Sequence, residues 1–302
     1  MAMELRKRVV EMLSARPDER FKARDIAEWV CENYPDEVAE KLAASERLES
    51  RKDLLEQLVA EVGANRPVWE EMHPELRTTE GVRPRLYYWT LKSEESEVDE
   101  AERKGEPLLT DSDVSKVHEH DLYPMLVEFL HSEQGIHGYR IDERKSSNTR
   151  GAGGNKWLFP DVVGIENLTV GLNPEVVAAI RESRDKRIRL WSFEVKILIN
   201  RSNARETYFQ AVSNSSWANL GYLVAANIEG ANTLKELRIL YAMHGIGLIK
   251  LDTANPAESQ ILIPARERSD IEWAMCSRLA SENKDFRAFM KRVRQFFQTG
   301  DL

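Results

Sequence analysis

The sequence predicts a chain of two domains, an α+β domain followed by an α/β domain. Three observations support this prediction: the length of 302 residues, an acidic polar run at 93–113, and a change in element order across that run. Helical segments followed by a β-ribbon precede the run, whereas helices and strands are interspersed after it. The predicted organisation is therefore a first domain at 1–92, a solvated acidic linker at 93–113 and a second domain at 114–302.

The composition is typical of a globular chain. Hydrophobic residues make up 42% of it, which is enough for ordinary cores. Cys31 and Cys276 lie far apart and lack metal-ligand spacing. These features favour a reduced, cytoplasmic location. No apolar run reaches the 18 residues of a membrane span, so membrane insertion is not expected.

The net charge of −8 is unevenly distributed. Residues 1–92 carry 16 Lys and Arg against 19 Asp and Glu, the linker carries 2 against 9, and residues 114–302 carry 25 against 23. Neither domain is strongly basic, which counts against tight DNA binding. A protein that binds nucleic acid with this charge balance needs local basic patches.

In the first domain, apolar periodicity predicts a series of helices followed by two strands. The predicted elements are a helix at 3–14, an extended piece at 20–23, helices at 25–33, 36–44 and 48–62, and strands at 67–72 and 86–91. A loop containing Arg77-Thr78-Thr79 and Arg83-Pro84-Arg85 is expected between the two strands.

In the second domain, the predicted order is helix, three strands, helix, strand, helix, strand and terminal helices. The expected strands are 138–143, 157–165, 187–199, 221–226 and 247–252, and the expected helices are 114–131, 173–183, 203–217 and 232–244. A stripe of phenylalanines near 286–297 indicates a last helix that packs on the core, with dimerisation as the second interpretation.

Two acidic residues and a lysine interrupt strongly apolar runs in this domain. Asp161 follows Pro160 in Lys-Trp-Leu-Phe-Pro-Asp-Val-Val-Gly, and Glu194-Val195-Lys196 lies in Leu-Trp-Ser-Phe-Glu-Val-Lys-Ile-Leu-Ile. Burying a carboxylate costs several kcal/mol unless a partner compensates it. A divalent metal is the partner that suits two acids and a lysine. Other Pro-Asp and Glu-x-Lys sequences in the chain lie in polar segments, so the apolar context carries this prediction.

Strand alternation places Glu194 and Lys196 on the same face. A buried Glu–Lys ion pair with a nearby aspartate is the structural alternative to a metal site.

A third carboxylate is expected from the first helix of this domain. Glu119 shares a face with the apolar residues of that helix, near its start. It either completes the metal site or is stabilised there by the helix dipole. His118 and His120 flank it, but further zinc ligands are missing, so exposed positions or phosphate contacts are the favoured interpretation.

Polar residues around these acids are further candidates. Gln210 lies in Tyr-Phe-Gln-Ala-Val-Ser-Asn, and Asn214 shares its face one turn later. Either a role beside the lysine or an exposed polar face fits this pattern. The basic, glycine-rich stretch 144–156 fits a loop that clasps nucleic acid or a flexible hairpin tip.

The second-domain order and its Asp161, Glu194 and Lys196 resemble the PD-(D/E)xK, or restriction-endonuclease-like, fold with its αβββαβ core. The first domain resembles a winged helix-turn-helix of the HARE type. Phe-Gln-Ala-Val-Ser-Asn-Ser-Ser-Trp-Ala-Asn at 209–219 and Thr-Thr-Glu-Gly-Val-Arg-Pro-Arg-Leu-Tyr-Tyr at 78–88 are similar to the HrgA-like family of restriction loci, over nearly the whole chain.

The resemblance implies a Mg²⁺- or Mn²⁺-dependent DNA endonuclease of restriction or defence type. Asp161 and Glu194 would hold the metal, with the Val195 carbonyl and Glu119 as further ligands, and Lys196 would position or help deprotonate the attacking water. Gln210 would orient the lysine or the scissile phosphate. The residues expected to contact DNA, most of them basic residues of the wing, the 48–62 helix and the glycine-rich stretch, are Arg51, Lys52, Arg83, Arg85, Lys145, Arg150 and Lys156.

Several alternatives stay open from the sequence. The first domain fits a module that binds protein. The whole chain fits a non-catalytic DNA-binding regulator or a scaffold for protein partners on a nuclease-like fold. RNA is a possible substrate in place of double-stranded DNA, and a homodimer is compatible with the last helix.

Overall fold

The computed structural model describes residues 4–43, 45, 48, 50–80, 84–104, 106–107, 116–147, 155–183, 185–230 and 232–300. They form a mixed α+β fold whose strand pairs are both parallel and antiparallel. The chain divides into two compact units, Met1–Glu97 with Ile228–Leu234, and Val98–Asn227 with Lys235–Leu302. No helix of the described residues is both long enough and apolar enough to cross a membrane.

Helices dominate the first unit. Its elements are α1 (Leu5–Ser14), β1 (Phe21–Lys22), α2 (Ala23–Asn33), α3 (Pro35–Ala43), α4 (Arg51–Met72), β2 (Leu76–Glu80) and β3 (Leu86–Trp89). Strand β3 pairs antiparallel with both β1 and β2. The core lies among α1, α2 and α4, where apolar residues such as Val9, Ile26 and Leu58 are fully buried.

Two predictions for this unit are wrong. The predicted strand at 67–72 is the last part of α4, because buried Trp69 continues the apolar stripe of Leu58 and Val62. The predicted loop around Thr78 and Thr79 is strand β2, in which both threonines are buried and pair with neighbouring strands. β-Branched threonines suit such a strand.

The acidic run at 93–113 is not wholly a solvated linker. Residues Glu94–Lys104 form helix α5. Val98 and Ala101, one turn apart, are buried in the core of the second unit, and this burial stabilises the helix despite its charge. The short strands β4 (Glu106–Pro107) and β5 (Lys116–Val117) then pair with each other.

The second unit is built on a sheet flanked by helices. Its remaining elements are α6 (Glu119–Gln134), β6 (Ile136–Arg140), β7 (Val162–Asn167), α7 (Pro174–Ser183), β8 (Ile188–Ile199), α8 (Ala204–Asn214), β9 (Leu220–Glu229), α9 (Thr233–His244), β10 (Gly247–Lys250), β11 (Gln260–Ile263), α10 (Trp273–Glu282) and α11 (Lys284–Thr299). Strands β6, β7, β8 and β9 are neighbours in that order. Strands β6–β7 and β7–β8 are antiparallel, whereas β9–β10 is parallel.

Strand β9 crosses the boundary between the units, because Ile228 and Glu229 belong to the first unit. There they pair antiparallel with Glu80 and Thr79 of β2. The first compact unit therefore includes residues 93–97 and 228–234, which the first domain predicted at 1–92 does not contain.

Two elements start five residues later than predicted, and both shifts concern predicted site residues. Strand β7 begins at Val162, so Asp161 lies immediately before the strand. The Asp161 backbone is nevertheless held in place, since its N–H donates to Phe193 O and its carbonyl accepts from Ile141 N. Helix α6 begins at Glu119 because the His118 N–H donates to the Asp121 carboxylate, which fixes the helix start.

Apolar cores cover both faces of this sheet. One lies between α6 and the strands and includes Leu126, Phe193 and Val224. The other includes Trp217 and the buried face of α11, with Phe286, Phe289, Val293 and Phe296. Core packing of the last helix was predicted and is confirmed.

Candidate functional site

Glu194 and Lys196 lie side by side on one face of β8. Two residues apart on a strand, they point the same way, and Lys196 Nζ donates to Glu194 Oε1 at 2.8 Å. Glu194 is 2% exposed and Lys196 is 8% exposed. The second carboxylate oxygen of Glu194 accepts from Asn214 Nδ2 of α8 at 2.8 Å. The predicted same-face arrangement in a buried strand is thus confirmed.

Asp161 is attached to the same strand through the backbone between these two residues. Its Oδ2 accepts from the Val195 N–H at 2.8 Å. Its Oδ1 faces Arg140 Nη1 of β6 at 3.2 Å and the Tyr123 hydroxyl of α6 at 3.4 Å. Asp161 therefore lies beside Glu194 and Lys196, where three neighbouring elements converge.

Glu119, the first residue of α6, also belongs to this group. Its Oε2 is 3.9 Å from Lys196 Nζ, and its Oε1 accepts from the Tyr123 hydroxyl at 2.8 Å. The residues are one helical turn apart, so the helix itself places the phenol beneath the carboxylate. The Glu119 side chain is 34% exposed, which makes it the most accessible acid of the group.

We refer to Asp161, Glu194, Lys196 and Glu119 as the acidic cluster. Arg140 borders it: the guanidinium donates to the Asp161 carbonyl at 2.7 Å and to Glu143 at 3.1 Å, and it stacks over the Tyr123 ring at 3.8 Å. Because Arg140 is shared with Glu143, it does not fully neutralise Asp161. Glu194 and Glu119 face the Lys196 ammonium and Asp161 lies beside them against the Val195 N–H, so negative charge is in surplus.

Burial and the neighbouring charges shift the pKa values of the groups in the acidic cluster. Burial, and then the Asp161 charge, raises the pKa of Glu194 above its ordinary value, although Lys196 and Asn214 act in the opposite direction. Burial also raises the pKa of Glu119, with Lys196 opposing it. Burial lowers the pKa of Lys196, but Glu194, Asp161 and Glu119 outweigh this effect and keep the pKa above its ordinary value. Lys196 is therefore an ammonium at neutral pH, where carboxylate ionisation is incomplete.

The carboxylate oxygens of Asp161, Glu194 and Glu119 fit a hard divalent cation in chemistry and charge. All are carboxylate oxygens, the type that Mg²⁺ and Mn²⁺ prefer, and a cation would offset the surplus of negative charge. Among the residues that the structure describes, no three His, Cys, Asp or Glu side chains already stand in metal-ligating geometry. Lys196 lies against Glu194 and within 3.9 Å of Glu119, so these contacts would have to open for Glu119 to join Asp161 and Glu194 as ligands.

A cavity of about 600 Å³ opens beside the acidic cluster. Glu119, Tyr123 and Arg140 line it, together with Lys145 and Asp285. The cavity therefore reaches the exposed acid of the cluster, whereas Asp161, Glu194 and Lys196 lie outside its lining.

His118 and His120 also line this cavity, and their rings stack 5.6 Å apart. His120 is exposed and lies 3.1 Å from Asp121. A contact of these histidines with phosphate stays a prediction.

Gln210 does not contact the acidic cluster through any described hydrogen bond. It is 4% exposed, and its amide nitrogen donates to the Lys156 carbonyl at 3.0 Å. Asn214, one turn later, donates to the Lys156 and Phe159 carbonyls as well as to Glu194. The pair anchors the segment that leads into Asp161, and of the two only Asn214 reaches an acid of the cluster.

The predicted nucleic-acid contacts differ in their surroundings. Lys145 is paired with Asp285 at 3.0 Å and Lys156 with Glu206 at 2.9 Å. Arg51 and Lys52 are exposed at the start of α4, and Arg85 Nε donates to the Thr79 carbonyl at 3.3 Å. Arg83 and Arg150 lie outside the described residues.

Sequence reasoning missed three residues around the acidic cluster. Tyr123 was counted only as part of the apolar stripe of α6, yet its spacing of four residues from Glu119 is a usable signal. Asn214 was noted only as sharing a face with Gln210. Arg140 carries no local signal, since β6 brings it to Asp161 only through strand pairing.

Comparison of the chain with protein-family models, with curated proteins and with solved structures found no match in any of the three.

Proposed function

We propose that the protein is a Mg²⁺- or Mn²⁺-dependent endonuclease that hydrolyses phosphodiester bonds of DNA. The observation that carries the proposal is the grouping of Asp161, Glu194 and Glu119 at one buried strand: Glu194 and Glu119 face the Lys196 ammonium, and Asp161 accepts from the Val195 N–H between Glu194 and Lys196. Glu194 alone would supply Lys196 with a counter-ion, so the other two acids are not explained by that ion pair. The resemblance of the second domain to the PD-(D/E)xK fold favours the same conclusion.

Asp161 and Glu194 would hold the metal, with the Val195 carbonyl and Glu119 as candidate further ligands. When bound, the metal would lower the pKa of a coordinated water and offset charge in the transition state. Lys196 stays protonated, so it would orient the attacking water or stabilise phosphate charge and not act as a resting base. Tyr123 would fix the Glu119 carboxylate, and Asn214 would fix that of Glu194.

Features of the first unit support a role as a winged helix that recognises DNA. Four helices precede the antiparallel β2–β3 pair, and helices followed by a β-ribbon are the element order of that fold. Arg85 lies just before β3, where a wing would contact phosphates, and Arg51 and Lys52 begin α4. A restriction or defence role follows from the resemblance and forms part of this proposal.

The test uses the full chain with plasmid DNA, oligonucleotide duplexes and RNA, in Mg²⁺, Mn²⁺ or EDTA. Asp161→Asn preserves the size of the side chain, and Glu166→Gln is the matched control. Glu166 is a carboxylate of β7 that bonds Arg189 and Trp191 away from the acidic cluster. We expect metal-dependent DNA cleavage that only Asp161→Asn abolishes. Cleavage that survives Asp161→Asn, or none in any metal, would reject the proposal.

A further inference from the structure

The exposed face of α11 carries a row of basic residues that the predicted nucleic-acid contacts did not include. Lys284, Arg287, Lys291 and Arg294 are spaced by three, four and three residues. At 100° per residue they fall within about 80° of arc, and at 1.5 Å per residue they extend over about 15 Å. All four are exposed. We refer to them as the α11 basic row.

The opposite face of the same helix is already buried. Phe286, Phe289, Val293 and Phe296 are each at most 2% exposed, within the core of the second unit. Because this apolar face is occupied, α11 cannot insert into a bilayer as an amphipathic helix does. It also leaves no large apolar surface on α11 for a second copy of the chain. The exposed face of α11 is therefore cationic.

The charges of this row are largely uncompensated. Helix α11 contains five Lys and Arg residues and one acid, Asp285, which pairs with Lys145. Within the described part of the chain, Lys284, Lys291 and Arg294 form no salt bridge. Arg287 uses two of its nitrogens on the Ala280 and Ser281 carbonyls at the end of α10. In a chain of net charge −8, such a row is a local departure that favours a polyanion.

The cavity beside the acidic cluster is lined by Glu119 and also by Asp285, the second residue of α11. At 100° per residue, Asp285 lies about 140° around the helix from the centre of the α11 basic row. The row and the cavity therefore occupy different sides of α11, and the positive charge of the row is what supports its role.

We propose that the α11 basic row is a docking surface for the phosphate backbone of double-stranded DNA. This inference rests on the proposed nuclease function and adds the surface that would hold the duplex during cleavage. Duplex DNA carries one charge per about 1.7 Å of axis, so the row would face several phosphates at once. The contacts are to backbone and not to bases, and the affinity they provide is independent of sequence.

The experiment measures duplex binding by fluorescence anisotropy between 50 and 200 mM KCl, with EDTA present so that the DNA stays intact. The test variant is Lys284→Gln, Lys291→Gln, Arg294→Gln in the full chain. The control removes three exposed cations elsewhere in the second unit, Arg201→Gln, Lys235→Gln, Arg238→Gln. A charge-preserving variant, Lys284→Arg, Lys291→Arg, Arg294→Lys, separates charge from folding.

We expect the test variant to bind at least tenfold more weakly at 100 mM salt. The slope of log Kd against log salt should decrease by about 2 to 3, since each lost phosphate contact removes about 0.9. Two unrelated duplex sequences should respond equally, and the charge-preserving variant should bind like wild type. Equal affinity and slope in the test and control variants would overturn the inference. Loss of binding to anionic lipid vesicles, with DNA binding unchanged, would overturn it in favour of a membrane surface.

These outcomes are distinguishable from failure of the proposed function. If wild type cleaves DNA and the test variant binds it normally, the nuclease function is supported and the docking surface is rejected. If wild type cleaves nothing but the test variant binds DNA more weakly and with a smaller salt dependence, the docking surface is supported and the nuclease function is rejected.

Discussion

Two regions of the molecule bury a glutamate to the same extent, and they differ in how the charge is compensated. Glu229 of the first unit and Glu194 of the acidic cluster are both 2% exposed. Glu229 accepts from the Tyr88 hydroxyl at 2.5 Å and pairs with Arg20 at 2.9 Å. Nearby Glu97 pairs with Arg77, so two acids meet two guanidinium groups.

The acidic cluster, by contrast, holds three carboxylates beside one lysine, of which Glu194 and Glu119 face the ammonium, and shares Arg140 with a fourth acid, Glu143. Both regions are hydrogen-bonded networks, and burial alone does not separate them. The two regions differ in their balance of charge, which is even around Glu229 and negative in the acidic cluster.

The largest expected effect is on catalysis. Asp161→Asn should lower metal-dependent DNA cleavage by on the order of 10³-fold, equivalent to about 4 kcal/mol of transition-state stabilisation. Single-turnover cleavage rates in Mg²⁺ measure the effect. Glu166→Gln should cleave within about twofold of the wild-type rate. A comparable loss in that control would show that the effect is not specific to Asp161.

The second effect compares the same substitution in the two regions. Glu229→Gln removes the buried carboxylate that pairs with Arg20 at 2.9 Å and should lower the free energy of unfolding by about 3 kcal/mol. Glu194→Gln removes one of three mutually repelling carboxylates, so metal-free protein should lose less than about 1 kcal/mol or become more stable. Urea denaturation in EDTA measures both. Equal destabilisation would mean that Glu194 is as fully compensated as Glu229.

The third effect is a pH dependence of stability. The pKa of Glu194 is higher in the folded chain than in the unfolded chain, so the unfolded form releases its proton first. The stability that Glu194 contributes is therefore fully present below about pH 4.5 and is lost as pH rises through the raised value. Metal-free wild type should lose on the order of 2 kcal/mol between pH 5 and pH 9, relative to Glu194→Gln.

Urea midpoints across this pH range test the sign of the effect. Mg²⁺ binds the ionised carboxylates, so it should restore stability mainly at the alkaline end. Parallel pH profiles of wild type and Glu194→Gln would contradict the raised pKa of Glu194.

The smallest expected effect concerns the phenol beneath Glu119. Tyr123→Phe removes a hydroxyl that donates to Glu119 at 2.8 Å, worth about 1 kcal/mol. Cleavage should fall roughly fivefold, with a higher Mg²⁺ requirement and little change in substrate affinity. A Mg²⁺ titration of the cleavage rate measures this shift. Restoration of the wild-type rate at saturating Mg²⁺ would place the role of Tyr123 in metal binding.

The sequence predicts the acidic cluster better than it predicts the elements that surround it. Glu194 and Lys196 are readable because a strand alternates its faces and both residues interrupt an apolar run. Glu119 is readable because it shares the apolar face of an amphipathic helix. The position of Arg140 at Asp161 depends on the pairing of β6 with β7, which local periodicity does not encode.

Errors in the fold have similar causes. The predicted strand at 67–72 is helical instead, because the buried Trp69 extends the apolar stripe of α4 to its end at Met72. Helix α5 looks like a charged linker because only Val98 and Ala101 mark its buried side. Strand β2 pairs with the end of β9, about 150 residues later in the chain, and a local pattern cannot report that partner.

Binding of Mn²⁺ to the metal-free full chain, counted by electron paramagnetic resonance, tests the central claim most directly. The acidic cluster should bind at least one Mn²⁺ per chain in wild type and in Glu166→Gln, and lose it in Asp161→Asn and Glu194→Gln. Wild type that binds no Mn²⁺, or Asp161→Asn and Glu194→Gln variants that bind it as wild type does, would contradict the assignment of the cluster as a divalent-cation site.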